Sequence, residues 1–182
     1  EDKYPGYTPA YRNIVLDGNI VTRSTQRSGI IVSGNPGVSI DGVIIRNNIL
    51  AQNNHVGILI GSGGATVRNI KILNNTFVQN GARSGIALTR LAGTLGGITI
   101  TNNIFDNGAN TNCASNCSWF APAHISVETS VAGVSVSRNL YHPQALGLSG
   151  AADAMALYGD AGFVNAQAED YRLQTGSPAV DS

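Results

Sequence analysis

The amino-acid sequence predicts an all-β fold: a single right-handed parallel β-helix, or β-solenoid, of about six coils with about 28 residues in each. Three observations predict it. An aliphatic segment that ends in Asn recurs at regular steps along the 182 residues. Short β-branched runs alternate with a period of two and are broken by Gly and Asn, a pattern typical of strands rather than helices. Charged residues make up only 12% of the chain, which argues against a disordered protein or a coiled coil.

Two motifs define the repeat. The first has Asn as its last residue but one, steps by 29, 27, 28 and 36 residues, and occupies residues 13–20, 42–49, 69–76, 97–104 and 133–140. The second, Gly-Ile-x-aliphatic, begins at Gly29, Gly57 and Gly85, with His124 replacing the Gly in the fourth copy. Because one unit cannot bury its own apolar face, the repeats are expected to stack on one another.

One domain is expected over residues 1–182, with three departures from the regular repeat. Residues 1–13 are predicted to be an extended N-terminal segment. Residues 106–122 account for both long steps and are predicted to be a loop insertion. Residues 142–182 are predicted to be a closing segment that packs over the last coils.

The aliphatic positions indicate which side of each strand faces the core. Two columns of the first motif are uniformly aliphatic, whereas the position between them varies through Val15, Ile44, Lys71, Thr99 and Ser135. Strand residues two apart share a face, so the aliphatic columns are predicted to point inward. These columns are Ile14/Val43/Ile70/Ile98/Val134 and Leu16/Ile45/Ile72/Ile100/Val136, joined in the second motif by Ile30/Ile58/Ile86/Ile125 and Val32/Ile60/Leu88/Val127.

The recurring Asn near the end of each first motif is predicted to form a ladder. At a tight bend Asn tolerates left-handed backbone angles, and its amide can hydrogen-bond the Asn in the coil above and below. The residues concerned are Asn19, Asn48, Asn75, Asn103 and Asn139.

The two cysteines, Cys113 and Cys117, lie in the predicted insertion. A local disulfide is favoured over a metal site because no second Cys/His pair completes four ligands, with free thiols as the alternative. A disulfide would favour an extracellular location.

The net charge and the short length of the apolar runs exclude two classes of partner. The 11 basic residues balance 11 acidic ones, so the basic surface that nucleic acid requires is missing. The longest apolar runs, such as Gly57–Ile60, are too short to insert into a membrane.

From about residue 11 to residue 182 the sequence resembles the right-handed parallel β-helix proteins of the pectate-lyase-like superfamily, which are extracellular carbohydrate-active and surface proteins. The shared features are the Gly-Ile-x-Ile strand, the Val/Ile-x-Ile-x-Asn-Asn-x-Phe strand, and the ending from Gly159 to Asp181. Members usually open with an amphipathic helix that covers the first coil. Residues 1–13 depart from this pattern, because two Pro, one Gly and three Tyr cannot form such a helix.

The resemblance implies two kinds of chemistry on acidic polysaccharides. One is lyase chemistry with a Lys, Arg or His base beside Ca²⁺ or Arg, and the other is hydrolysis by clustered Asp. The Asp residues here, Asp153 among them, stand mostly in turn or terminal settings, so neither paired carboxylates nor a Ca²⁺ cage is supported. No cofactor and no metal are therefore expected.

A basic column is the remaining candidate site. Arg27, His55 and Arg83 each precede the second motif by two residues, so they would stack on one edge, with His55 as a base for an acidic glycan. The alternative is that these side chains are exposed and solvated. Further candidates for substrate binding are Arg90, Glu128, Lys71 and Trp119, although Trp119 could instead anchor the insertion.

Three functions remain open. The first is a noncatalytic, secreted or cell-surface β-solenoid whose uncapped coils stack head to tail into a filament, with Tyr4, Tyr7 and Tyr11 as anchors. The second is part of a polysaccharide lyase or related enzyme, and the third is a carbohydrate-binding module. The sequence favours the first, with further copies of the chain as the expected partner and a polysaccharide as the alternative.

Overall fold

The predicted fold class is confirmed. The computed structural model describes residues 8–81, 84–106 and 122–180, and in these ranges the chain winds into a parallel β-helix with three parallel sheets along its length. Five coils contribute a strand to every sheet, and a sixth strand extends one sheet only. The number of complete coils is therefore five rather than the predicted six.

The strands are numbered in chain order. Sheet A consists of β1 (Ala10–Asp17), β4 (Ser39–Arg46), β7 (Thr66–Leu73), β10 (Thr94–Thr101) and β13 (Ala132–Ser137). Sheet B consists of β2 (Ile20–Thr22), β5 (Ile49–Ala51), β8 (Thr76–Val78), β11 (Ile104–Asp106), β14 (Leu140–His142) and β16 (Leu157–Tyr158). Sheet C consists of β3 (Ile30–Ser33), β6 (Ile58–Gly61), β9 (Ile86–Thr89), β12 (Ile125–Val127) and β15 (Leu148–Ser149). An antiparallel hairpin follows, formed by β17 (Phe163–Asn165) and β18 (Asp170–Leu173).

The predicted inward columns are confirmed by the strand register. Ile14 pairs with Val43, Val43 with Ile70, and Ile98 with both Ile70 and Val134. The members in the middle coils are fully buried, and the members in the first and last coils are partly buried. The core is therefore continuous along the axis and weakest at its two ends.

The sequence pattern does not predict sheet B as a sheet separate from sheet A, because the strands of sheet B are only two or three residues long. Its middle residue points inward, and in successive coils the rings stack: Phe77 on Phe105 at 4.7 Å between centroids, and Phe105 on Tyr141 at 5.3 Å. All three rings are fully buried. Stacked aromatic pairs add to the area-dependent stabilisation of a core.

The corner between sheets A and B holds the asparagine ladder. The Nδ2 of Asn48 donates to the Oδ1 of Asn75 at 2.9 Å, and the same bond recurs in every coil from Asn19 to Asn139. The left-handed residue of this corner is the one before each ladder Asn, so the predicted left-handed backbone of the ladder Asn itself is wrong. It is Gly18, Asn47, Asn74, Asn102 or Arg138, with φ between 53° and 69°.

A second ladder, which was not predicted from the sequence, occupies the corner after sheet B. The Nδ2 of Asn53 donates to the Oδ1 of Asn80 at 3.0 Å, and the backbone N–H of Ser24 donates to Asn53. Both asparagines are fully buried. The steps of 29 and 27 residues match those of the first ladder and were the available signal.

The C-terminal segment lies along the outside of sheet B and contacts earlier coils as well as the last ones. Phe163 and Tyr171 pack against Ala51, Val78 and Leu140, whose coils range from the second to the fifth. Glu169 reaches the first coil, where it forms an ion pair with Arg23. We call residues 160–180 the strap, because they tie the coils together along one side.

Candidate functional site

The predicted basic column is only partly present on the surface. Arg27 is exposed, and its carbonyl accepts a hydrogen bond from the backbone N–H of His55, so the two residues do stand in neighbouring coils. His55, however, is only 5% exposed, so its imidazole is neither open to a glycan, as the basic column predicts, nor solvated, as the alternative predicts. Arg83 lies outside the described residues.

The other predicted binding residues separate into two places. Arg90 and Glu128 meet just beyond sheet C, where the Arg90 backbone N–H donates to the Glu128 carboxylate at 2.6 Å. Both side chains are exposed. Lys71 lies on sheet A and is exposed on another side of the solenoid. These residues do not converge on one site.

Several predicted residues fall outside the ranges that the structure describes. These are Trp119 and the two cysteines of the insertion, together with two of the anchoring tyrosines: Trp119, Cys113, Cys117, Tyr4 and Tyr7. The disulfide and the tyrosine anchor therefore stay predictions. Tyr11 is described, in β1.

Carboxylates on the outer face of sheet A bind the next coil. Asp17 accepts from the Asn47 amide and the Arg46 guanidinium, both one coil further on, and these contacts, the Asn47 bond first, lower the pKa of Asp17. Asp41 accepts in the same way from the Asn69 amide and the Arg68 guanidinium, and these contacts, the Asn69 bond first, lower the pKa of Asp41. Such exposed pairs align the coils and contribute little to the free energy of folding.

Two histidines and one aspartate lie near the residues where the insertion begins and ends. Asp106 accepts a hydrogen bond from Nδ1 of His142 at 2.9 Å. His124 donates from Nε2 to the carbonyl of Pro143 at 2.9 Å, because a carbonyl can only accept. Its Nδ1 is buried and has no partner. Each imidazole thus has one nitrogen committed to the fold, and among the described residues no three of His, Cys, Asp and Glu come together as metal ligands.

Burial makes His124 a source of pH-dependent stability. The side chain is 0% exposed, and desolvation, opposed by the Pro143 hydrogen bond, lowers the pKa of His124 below its ordinary value of about 6.5. Below pH about 6.5, His124 therefore binds a proton more readily in the unfolded chain than in the folded chain. We expect the free energy of unfolding to fall as the pH is lowered from 7 to 5, by up to about 1.4 kcal/mol per pH unit from this group. Free energies of unfolding measured by urea denaturation between pH 7 and pH 5 should fall less steeply with pH in His124→Gln than in the wild type. An unchanged dependence on pH would contradict the assignment to His124.

The two ends of the solenoid expose side chains that belong to inward columns. Tyr11 pairs with the buried Ile40 but is 54% exposed, and Tyr158 pairs with the fully buried Tyr141 but is 48% exposed. In the described residues, nine large apolar side chains are exposed, and six of them lie in the first coil or at β16: Tyr11, Val15, Ile20, Ile31, Met155 and Tyr158. Of these six, Val15, Ile20 and Ile31 stand at outward positions of their strands. Strands β1, β2 and β3 each have a neighbour on one side only in the described parts of the chain.

One family profile matches the chain. It is described as periplasmic copper-binding protein (NosD), and the match covers residues 6–141. Comparison with curated proteins and with solved structures found no match. Nowhere in the described part of the chain does a helix have the length and apolar character that a membrane crossing requires.

Proposed function

Since the chain belongs to the NosD family of periplasmic copper-binding proteins, a right-handed parallel β-helix family of the pectate-lyase-like superfamily, we propose that it acts outside the cytoplasm as a noncatalytic β-solenoid that stacks end to end with copies of itself. The observation that carries this proposal is the half-exposed tyrosine that ends an inward column at each end of the coil, Tyr11 at one end and Tyr158 at the other.

Stacking would complete both the core and the strand pairing. At the first coil Ile14, Leu16 and Ile30 are only partly buried, whereas their partners in the next coil, Val43, Ile45 and Ile58, are fully buried. A strand from a second copy would cover these side chains and pair with the edges of β1 to β3 that no described strand occupies. Burial of apolar surface contributes about 25 cal/mol per Å² to such an association.

The proposed contact joins the first coil of one copy to the last strands of the next. Such a heterologous contact does not close, so it generates an open filament rather than a dimer. The two surfaces are different parts of the chain, and each can be altered while the other is left intact. The proposal is therefore testable one end at a time.

Copper does not enter the proposed function. The described donors do not assemble a site for the ion. Copper sites use imidazole nitrogens or thiolates that converge on one point, and within the described ranges no three such groups do so. No step of the proposed function therefore depends on copper.

Replacing one tyrosine at a time tests the stacking. Sedimentation velocity should show wild-type protein associating as its concentration rises, whereas Tyr11→Lys and Tyr158→Lys should each remain an 18.9 kDa monomer. The matched control is Leu91→Lys, because Leu91 is 87% exposed between β9 and β10 on the side of the solenoid. Leu91→Lys should associate like the wild type.

Mixing the two variants identifies which ends meet. In a head-to-tail contact each variant keeps one intact end, so a mixture should form dimers and nothing larger. A contact between two first coils would instead let Tyr158→Lys dimerise alone. Wild-type protein that stays monomeric at high concentration, or a Leu91→Lys variant that dissociates as fully as the tyrosine variants, would refute the proposal.

A further inference from the structure

An acceptor motif for N-linked glycosylation lies at the asparagine corner of the third coil. The motif is Asn-x-Ser/Thr with any residue but Pro in the middle, and the sequence contains it at residues 74–76, as Asn-Asn-Thr, and at residues 116–118, as Asn-Cys-Ser. The second copy falls outside the described residues. The first runs from the end of β7 into β8, so the positions of both of its acceptor groups are known.

The two acceptor groups face outward into the same space. Asn75 turns its amide into the buried ladder, so Asn74 and Thr76 on either side of it stand on the outside of the corner. Both line one groove of about 260 Å³, which lies between sheet B and Ala179 of the strap. Asn74 is exposed, and neither its amide nor the Thr76 hydroxyl forms a hydrogen bond with any described residue. The Asn74 amide is therefore available for attachment of a sugar, and the groove leaves room for that sugar.

Thr76 departs from the residue type of its column. The first residues of the sheet B strands pair in register from coil to coil, and apart from Thr76 they are all aliphatic: Ile20, Ile49, Thr76, Ile104, Leu140 and Leu157. Ile49 and Ile104, its neighbours in this column, pack against the apolar cluster beneath the strap. Thr76 makes less apolar contact than Ile would, and its hydroxyl satisfies no described group of the fold. Packing therefore does not explain Thr76, whereas the acceptor motif requires its hydroxyl.

The equivalent corners of the neighbouring coils lack the motif. Asn47 and Asn102 occupy the same left-handed position as Asn74, but Ile49 and Ile104 stand two residues later, where the motif requires a hydroxyl. The Asn47 amide is also bound to Asp17. Among the corners that the structure describes, an exposed amide and a hydroxyl two residues further on coincide at Asn74.

We propose that Asn74 carries an N-linked glycan, attached by an oligosaccharyltransferase from a polyprenyl-diphosphate-linked sugar donor. Nδ2 of Asn74 forms a bond to the anomeric carbon of the first sugar, and the bond from that carbon to the diphosphate oxygen breaks. The diphosphate leaves with the bonding electrons, and one Nδ2 proton passes to a base of the transferase, so no oxidant or reductant is needed. The proposal rests on the location outside the cytoplasm and not on stacking. The third of five coils is distant from both ends, so a glycan on its side leaves the stacking surfaces open.

Peptide mapping by mass spectrometry, on the chain isolated from the organism that produces it, tests the proposal. Trypsin cleaves after Lys71 and Arg83, so residues 72–83 form one peptide that contains Asn74 and excludes Asn116. This peptide should carry the additional mass of one or more sugar residues. Recovery of the peptide in its unmodified form alone would overturn the proposal.

Variants produced in the same organism assign the sugar to Asn74. Thr76→Val keeps the branched shape and removes the hydroxyl, and Asn74→Asp removes the acceptor nitrogen while tolerating the left-handed backbone. Both should lose the sugar completely, whereas Thr76→Ser should retain it. Asn102→Asp is the matched control, because Asn102 is the equivalent exposed residue of the next coil, and its 72–83 peptide should stay modified.

Three results would overturn the assignment. A sugar that persists in Asn74→Asp would be attached to another group of the peptide, such as the Thr76 hydroxyl. A sugar that persists in Thr76→Val would show that the acceptor motif does not direct the modification. Loss of the sugar in Asn102→Asp would show that the modification depends on the corner as a whole. Peptide masses are read from the digested chain, so none of these results bears on the sedimentation test of stacking.

Discussion

Replacing Asn75 by Leu is expected to lower the free energy of unfolding by about 3 kcal/mol. The Asn75 side chain makes five hydrogen bonds inside the solenoid. Its Nδ2 donates to the carbonyls of Ile45 and Leu73 and to Asn103, and its Oδ1 accepts from both the backbone and the side chain of Asn48. Leu has nearly the same size but leaves these buried groups without a partner, and an unsatisfied buried group costs about 1–3 kcal/mol.

Asn19→Leu provides the matched control for this prediction. Asn19 begins the same ladder and donates to Asn48, but it is exposed, so water can replace the bonds that are lost. Urea denaturation should therefore show a loss of less than about 1 kcal/mol for Asn19→Leu. Equal losses in the two variants would mean that burial of the ladder bonds does not increase their contribution to stability.

The inward columns could be predicted because each is a single physical requirement repeated in every coil. Ile70 and Ile98 occupy equivalent positions, so the spacing between them reveals the length of the coil, and the alternation of residue types reveals the buried face. The position of the ladder asparagines followed from the same spacing. Their backbone did not, because the preceding residue takes the left-handed angles and the ladder residue turns its amide into the core.

The strap and the true exposure of His55 could not be predicted from the repeat. The strap has no counterpart in other coils, so no internal comparison indicates what Phe163 and Tyr171 contact. His55 lies at a corner, where strand alternation no longer says which way a side chain points. The repeat predicts that the His55 backbone lies beside Arg27 of the neighbouring coil. Only the structure shows that the imidazole is buried.

The asparagine ladder has a direction, and this direction explains Asp153. Every ladder Asn donates to the Asn of the following coil, so the last one, Asn139, requires an acceptor that no further coil supplies. The Oδ2 of Asp153 fills this role, because it accepts from the backbone N–H and the Nδ2 of Asn139 and from the hydroxyl of Tyr141. An ionised carboxylate is acceptor-only, so it suits a position that faces only donors. Burial, and then the nearby Asp153 charge, raise the pKa of Tyr141, which keeps its hydroxyl a donor.

Asp153→Ala is accordingly expected to lower the free energy of unfolding by about 3 kcal/mol. The change leaves the buried Tyr141 hydroxyl and the Asn139 backbone N–H unpaired, and it also removes the acceptor for the backbone N–H groups of Arg138 and Met155. Asp153→Asn should cost nearly as much, because an amide has one acceptor oxygen and its NH₂ group would face the remaining donors.

A double-mutant cycle with Tyr141→Phe separates the ladder cap from a simple loss of local structure. Tyr141→Phe removes one of the donors that need Asp153 and keeps the ring stacked on Phe105, so it should itself cost about 1 kcal/mol. In the Tyr141→Phe background the Asp153→Ala change should then cost about 1 kcal/mol less than in the wild type, because the hydroxyl is no longer there to be stranded. Additive losses in urea denaturation would show that the carboxylate and the hydroxyl act independently, and the Tyr141 hydroxyl would then be no part of the cap.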